Sequence, residues 1–209
     1  MLITKKPKMI SSESARARQK EETRRRILGA ARALFHEKSY QETRSGDIAE
    51  RAGVSHGTVF AHFESKAALL GELNLQWIAN AVKELRALPR SGTVNERYRR
   101  FIKALWARHH RDSATTSAFF SMTWLWEEQF DNDYAQAIAA LRAIVEDILR
   151  DGIRQGEFKE STDPKLVAEG LEGIYFNVLR SSRFGEESEK RAWKHGISIA
   201  DHFLDAFRT

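Results

Sequence analysis

Apolar residues recur along most of this chain at steps of three and four, the period of helices that each bury one face. Ile27, Ala31, Leu34 and Phe35 form one such stripe, on a helix expected from about Arg18 to about Ser39. Two short helices are expected between Asp47 and Lys66: Ile48, Ala49 and Ala52 share a face of the first, and Val59 and Phe63 share a face of the second. Gly53 stands between them where a left-handed residue is wanted, Val54 plugs the angle, and Ser55 is placed to cap the second helix. Ser65 opens a longer helix carrying Leu69, Leu70, Leu73, Trp77 and Val82, which stops before Pro89. Thr93-Val94-Asn95-Glu96 is a capping-box pattern that opens the next, with Phe101, Leu105 and Trp106. Ser113 to Trp126 is the least regular and most aromatic stretch. Tyr134, Ile138, Leu141, Val145, Ile148 and Leu149 make a further stripe ended by Gly156, and Asp163-Pro164 starts another helix as cap and first residue. Trp193, Ile197, Ala200, Leu204 and Phe207 mark the last one. With no strand run and no fixed-period repeat, the expected fold is all-α with about nine helices. Residues 1–17 would form a basic, flexible arm, 18–65 a three-helix helix-turn-helix domain, and 66–209 a helical ligand-binding and dimerisation domain.

Composition narrows the function. The chain has 209 residues, 42% of them hydrophobic and 30% charged, as in an ordinary globular protein. It has no cysteine, which removes disulfides, thiolate metal sites and cysteine nucleophiles and suits the cytoplasm. No apolar run is long enough to cross a membrane, and the basic N-terminus lacks the apolar core of a secretory signal. The net charge of +5 is uneven: Lys5, Lys6, Lys8, Arg16, Arg18, Lys20, Arg24, Arg25 and Arg26 face only Glu13, Glu21 and Glu22 within the first 26 residues. A basic arm on a near-neutral body suits attraction to phosphates. Residues 1–15 are read equally well as a solvated tail, whereas Arg16 to Arg26, Arg24 among them, are candidates for DNA contact.

The pair of short helices has the shape that fits a major groove, and such proteins read bases from the N-terminal part of the second helix. Its outward face and flanks carry His56, Gly57, Thr58, Phe60 and His62. Gly57 lacks a side chain and so permits close approach to DNA. The plainer alternatives are an ordinary helix residue for Thr58 and a surface histidine for His62. No nucleophile elbow, phosphate loop or metal-spaced motif gathers the histidines, carboxylates and serines, so the chain is not expected to be an enzyme. His109 and His110 are adjacent and point about 100 degrees apart on a helix, unlike metal ligands spaced four apart. No metal or cofactor is expected.

Ile27-Leu28-Gly29-Ala30-Ala31, Leu34-Phe35, Tyr40, Thr43, Asp47-Ile48-Ala49, Ala52-Gly53-Val54-Ser55, Gly57-Thr58, His62-Phe63 and Lys66 stand in an order and spacing that resembles the TetR family of transcriptional regulators. Beyond Lys66 the likeness is only to the family's general plan. The resemblance implies backbone contacts from Thr43, Arg44 and Ser45, base and phosphate contacts from Ser55, His56, Gly57 and Thr58, and phosphate clamps at His62 and Lys66. Three positions depart from the pattern. Ser39 stands where a glycine commonly ends the first helix. Phe60 replaces the commoner tyrosine. Arg44 takes the usual Ser or Thr cap position, which removes the reciprocal capping box, costs about 1 kcal/mol and leaves Thr43 or Ser45 to cap, while freeing Arg44 to reach a phosphate.

The aromatic middle is the candidate receiver of a signal. Trp106, His110, Phe119, Met122, Trp126, Tyr134, Phe176 and Asn177, with His109, Phe120 and Tyr175 nearby, are candidates to line an apolar cavity with a few polar groups. Most of them could equally be plain core. Glu127, Glu128, Glu172, Arg142 and Arg180 are ambiguous between orienting a ligand and facing water. Leu171, Ile174, Val178, Trp193, Ile197, Ala200 and Leu204, with the small residues Gly170 and Gly173, are candidates for an intermolecular four-helix bundle, with intramolecular packing as the competing account. The expected function is a ligand-responsive regulator, a repressor that binds a palindromic DNA operator as a homodimer and is released by a small, partly apolar molecule. The alternative is a DNA-binding regulator controlled by a protein partner.

Overall fold

The computed structural model describes residues 12–122, 131–183 and 188–209. Nine helices occur among them: α1 (Ser12–Glu42), α2 (Ser45–Ala52), α3 (His56–His62), α4 (Lys66–Arg86), α5 (Val94–Arg111), α6 (Ser113–Met122), α7 (Asp131–Arg154), α8 (Pro164–Arg183) and α9 (Glu189–Asp205). The described residues form no sheet, only an isolated antiparallel bridge between Phe158 and Arg208. The chain divides into two compact units after Leu73. That division lies beyond the boundary expected at Ser65, because the start of α4 is fastened to the first unit. Lys66 Nζ donates to Tyr40 O at 2.8 Å and to Thr43 O at 2.9 Å, and Glu72 pairs with Arg24 at 3.0 Å.

In the first unit the expected stripe is the core: Ile27, Ala31 and Phe35 are 0% exposed and Leu34 6%. Ile48, Ala49, Ala52, Val59, Phe63, Leu69, Leu70 and Leu73 are buried as well. α1 begins at Ser12, before the expected start, so helix covers the last residues assigned to the arm. Toward its end α1 kinks. Ser39 has φ 74 and ψ 161, a region almost reserved for glycine. Two hydrogen bonds hold it there: Thr43 Oγ1 donates to Ser39 O at 2.6 Å and Glu42 N–H donates to Ser39 Oγ at 3.4 Å.

The second unit packs α5 at its centre. Tyr98, Phe101, Ile102, Leu105, Trp106 and His109 are all buried on one side of it, joined by Ile78 and Leu85 of α4, Val145 and Leu149 of α7, Leu171 and Leu179 of α8, and Leu204 of α9. The helix ends follow local chemistry. Thr93 and Glu96 exchange both capping-box bonds, at 2.9 and 3.3 Å. α7 stops at Gly156, φ 74, with Glu157 N–H donating to Gly152 O at 2.9 Å. Asp163 Oδ1 accepts from Lys165 N–H at 2.9 Å at the start of α8.

Candidate nucleic-acid interface and ligand cavity

The turn between α2 and α3 is built by Gly53, at φ 63 and ψ 42. Its N–H donates to Glu50 O, and Val54 N–H donates to Ala49 O, both at 3.0 Å, so the free carbonyls of α2 are satisfied. A side chain at Gly53 would also meet the Arg26 guanidinium at 2.9 Å. That guanidinium donates to Ala52 O and to Gly53 O, locking α1 onto the turn. Ser55 caps α3, its Oγ accepting from Thr58 N–H at 3.1 Å and lying 2.8 Å from Thr58 Oγ1. With Val59 and Phe63 turned into the core, the opposite side of α3 is open. His56, Gly57 and Phe60 are exposed, Phe60 at 44%, and its ring packs edge-on against His56 at 4.9 Å. A Cβ added at Gly57 would come no closer than 3.9 Å to any other part of the chain. The fold itself has no need of glycine there, whereas a surface pressed against α3 would.

The second unit holds a partly open apolar cavity of about 70 Å³. Trp77 and Ile78 of α4, Phe101 and Leu105 of α5, Leu141 and Val145 of α7 and Leu171 and Phe176 of α8 form most of its wall. A single water occupies roughly 10–15 Å³ on this scale. The polar groups of the cavity are mostly engaged. His109 Nδ1 lies 2.7 Å from the Tyr175 hydroxyl and 3.1 Å from Leu105 O, with the Trp77 ring tilted against it at 4.3 Å. Arg142 is held between Glu172, at 2.8 Å, and Glu169, at 3.0 Å. Burial, with a lesser push from Glu172, raises the Tyr134 hydroxyl well above the usual phenol range, so it is a neutral donor throughout the physiological range.

Residues 27–73 match the family described as bacterial regulatory proteins, tetR family, and residues 91–180 match the tetracyclin repressor-like C-terminal domain. The chain belongs to the TetR family. It is 28% identical over 162 residues to the HTH-type transcriptional activator FasR of Mycolicibacterium smegmatis, a match spanning 77% of this chain and 72% of that protein. It is 25% identical over 151 residues to the fatty acid metabolism regulator protein of Bacillus subtilis, spanning 70% and 76%. The crystal structure of FadR from Bacillus subtilis in complex with stearoyl-CoA superposes with a TM-score of 0.62 at 20% identity, covering 87% of this chain and 95% of that one. The family and these relatives are regulators of transcription, so the chain is a DNA-binding regulator and not an enzyme. No helix among the described residues is long and apolar enough to cross a membrane.

Against the TetR pattern, several expected DNA contacts turn out to be fasteners. Thr43 is 1% exposed, so its side chain cannot reach a phosphate. Lys66 is half-buried on three carbonyl oxygens and over the Tyr40 ring at 4.2 Å, and burial pulls its pKa down. Arg24 pairs with Glu72, donates to His62 O at 3.2 Å and lies over the Phe63 ring at 4.3 Å. The family pattern marked Thr43 and Lys66 for DNA and the basic run marked Arg24, and the side chain of each is engaged or buried within the first unit. His62 is half-buried, with Nδ1 enclosed and unpartnered among the described residues. Neither Thr43 nor Ser45 caps α2. Asp47 does so from inside the helix, accepting from Arg44 N–H at 2.9 Å and from Lys38 Nζ at 2.6 Å, which keeps half of the capping box and leaves the Arg44 side chain exposed.

Among the ligand candidates, Tyr134 and Phe176 line the cavity. Trp106 instead packs against Trp193 at 5.4 Å, beside a separate void of about 20 Å³. His110 turns to Glu189 at 3.2 Å and Trp106 O at 2.9 Å, and Asn177 is exposed. Trp126 and the side chains of Phe119 and Met122 lie outside the described residues. Asn74, Trp77, Tyr98, Phe101 and Thr116 were missed. The α5 stripe at steps of three and four was the available signal for Tyr98 and Phe101, but it does not say which neighbours stand off to leave a void. The dimer candidates also divide. Leu171, Val178, Ala200 and Leu204 are buried in their own chain, because the apolar stripes of α8 and α9 face each other and α5, while Ile174, Trp193 and Ile197 are half-buried. Gly170 and Gly196 serve that internal contact, since a Cβ would strike Phe203 at 2.6 Å and Val178 at 2.7 Å respectively. Gly173 is exposed and faces nothing within 4 Å.

Proposed function

We propose that the chain is an effector-responsive repressor that binds a palindromic operator as a homodimer and is released when a small molecule with an apolar chain enters the cavity of the second unit. The observation that carries this reading is the partly open apolar cavity in the unit that does not read DNA, with His109, Tyr134, Tyr175 and Arg142 placed around it. Two relatives support the chemistry: one is named as a regulator of fatty acid metabolism, and one solved structure holds stearoyl-CoA. On DNA, α3 enters the major groove with Gly57 at the closest approach, His56, Thr58 and Ser55 near base edges, and Arg44, Ser45, Phe60 and His62 along its flanks. The exposed Arg16, Arg18 and Lys20 supply phosphate attraction. The partner copy packs on the outer faces of α8 and α9, where Leu166 is 66% exposed and Gly173 leaves room for a second helix. Release follows linkage: the effector weakens operator binding by its preference for the DNA-incompetent state, and DNA weakens the effector by the same factor.

The test starts with genomic fragments selected by the purified protein, which give the operator and the neighbouring genes. Titration of candidate acyl compounds into the complex then follows Trp77 quenching and operator release together. Matched midpoints are expected. A cavity that takes up no such compound while operator binding remains intact would transfer control to a protein partner.

A further inference from the structure

Phe101 is the common wall of two unlike spaces in the second unit. On one side lies the apolar cavity. On the other is a groove of about 260 Å³ between the end of α4, the start of α5 and the second half of α7, into which Arg86, Arg90, Arg97, Asp147 and Asp151 turn. We infer that this groove is a headgroup site: it takes the carboxylate or phosphate of an anionic amphiphile whose chain passes Phe101 into the cavity. This rests on the cavity being the effector site.

Charge balance is the first support. Both carboxylates of the groove are already matched. Asp151 accepts from Arg97 at 2.7 Å and pairs with Arg154, and Asp147 pairs with Arg150 at 3.0 Å. Arg86 and Arg90 are exposed and neither forms a salt bridge with a carboxylate among the described residues, Arg90 acting on Asp151 only through space and less than Arg97 and Arg154 do, so the groove carries surplus positive charge. The backbone that presents Arg90 is held in place, because the Arg100 guanidinium donates to Pro89 O at 2.7 Å and to Ser91 O at 3.1 Å. The cavity offers an anion the opposite. Arg142, the arginine on its wall, is flanked by Glu169 and Glu172, a surplus of negative charge. An amphiphile with an acidic head is therefore attracted on one side of Phe101 and repelled on the other, while its chain has the reverse preference.

Phe101 is suited to be the door. It is 4% exposed and yet has open volume on both faces, so its ring lacks part of the close contact that normally fixes a buried aromatic. Its stacking partner Tyr98, at 6.4 Å, flanks it from the preceding turn of α5.

The experiment compares three probes on the full-length protein, hexadecanoate, hexadecanoyl coenzyme A and uncharged methyl hexadecanoate, by calorimetry on wild type, Arg86→Gln/Arg90→Gln and Phe101→Ala, each with its melting curve. Wild type is expected to bind the anions at least about tenfold more tightly than the ester. The double variant should lose about ten- to a hundredfold for the anions and stay within about twofold for the ester. Preference for hexadecanoate assigns the site to a carboxylate, and preference for the thioester assigns it to phosphates. Phe101→Ala should speed association in stopped flow. Anion preference retained by the double variant, or absent from wild type, overturns the headgroup site and leaves the cavity reading standing. An association rate unchanged by Phe101→Ala overturns the door. Failure of wild type to bind any of the three chains overturns both this site and the acyl effector.

Discussion

The two units spend their cations differently. In the first unit, the head, Arg26 and Lys66 sit on neutral backbone carbonyls, while Arg24, Lys38 and Arg51 pair with carboxylates. In the second unit Arg97, Arg99, Arg108 and Arg142 sit on carboxylates, and Arg100 sits on carbonyls. A carbonyl satisfies the hydrogen bonds of a cation without cancelling its charge, whereas a carboxylate does both. Arg26 and Lys66 thus fasten the head without losing their charge, which suits a surface that must attract DNA from a distance. In the second unit most of the buried arginines are matched by carboxylates, while Arg86 and Arg90 form no such salt bridge among the described residues. A count of basic residues cannot tell these two uses apart.

Five variants would break or sharpen this contrast. Leu204→Ala should have the largest effect, a loss of about 2–5 kcal/mol that is the same at every protein concentration. A loss that fades as concentration rises would return Leu204 to a dimer interface. Gly57→Ala should leave the melt unchanged and weaken operator binding by about 1–3 kcal/mol in fluorescence anisotropy; equal affinity would mean that α3 does not approach DNA closely there. Ser39→Gly should stabilise the head by about 1–2 kcal/mol by relieving its positive φ, measured by urea unfolding, and a destabilised variant would show that the side-chain bond to Glu42 N–H outweighs the strain. Replacing Arg16 and Arg18 by Gln should lower the salt dependence of operator binding by about 0.9 in slope for each phosphate that is no longer neutralised. Lys66→Gln should change stability and not slope, and the reverse pattern would restore Lys66 as a clamp.

The smallest effect concerns acid. The hydrogen bond from Arg97 holds the Asp151 carboxyl below the usual range, and that from Lys38, with Arg44 N–H, does the same for Asp47. A depressed folded-state pKa gives stability that is complete above the unfolded value, about 4, and is lost as pH falls through the folded value. Urea unfolding between pH 5 and pH 2 should therefore show a shallower acid decline for Asp151→Asn than for wild type. A parallel decline would remove the Arg97 pair from the acid response.

Some of this site was legible in the residues alone. The inward pair Val59 and Phe63, the outward set from His56 to Phe60, the strained position of Ser39 and the cap at Ser55 each follow from residues within four positions of one another. Arg44 shows the limit of such reasoning. Its loss as a cap was visible, but the rescue by Asp47 with Lys38 joins two helices and was not. Likewise Trp106 and His110 carry the right chemistry for a ligand, on an α5 whose rotation turns them toward α9.

The sequence alone determined where most helices start, stop and turn, the start of α1 and the helix α6 being the exceptions, because caps, left-handed glycines and apolar periods act over one or two turns of chain. It also determined the family, since the helix-turn-helix pattern is contiguous. Tertiary structure decided which cations remain available, which side of α8 and α9 faces its own core, and which aromatics surround a void. Those outcomes depend on partners far apart in the chain, such as Arg24 with His62 O and Tyr175 with His109, and on space left unfilled between helices. No local pattern encodes an empty volume.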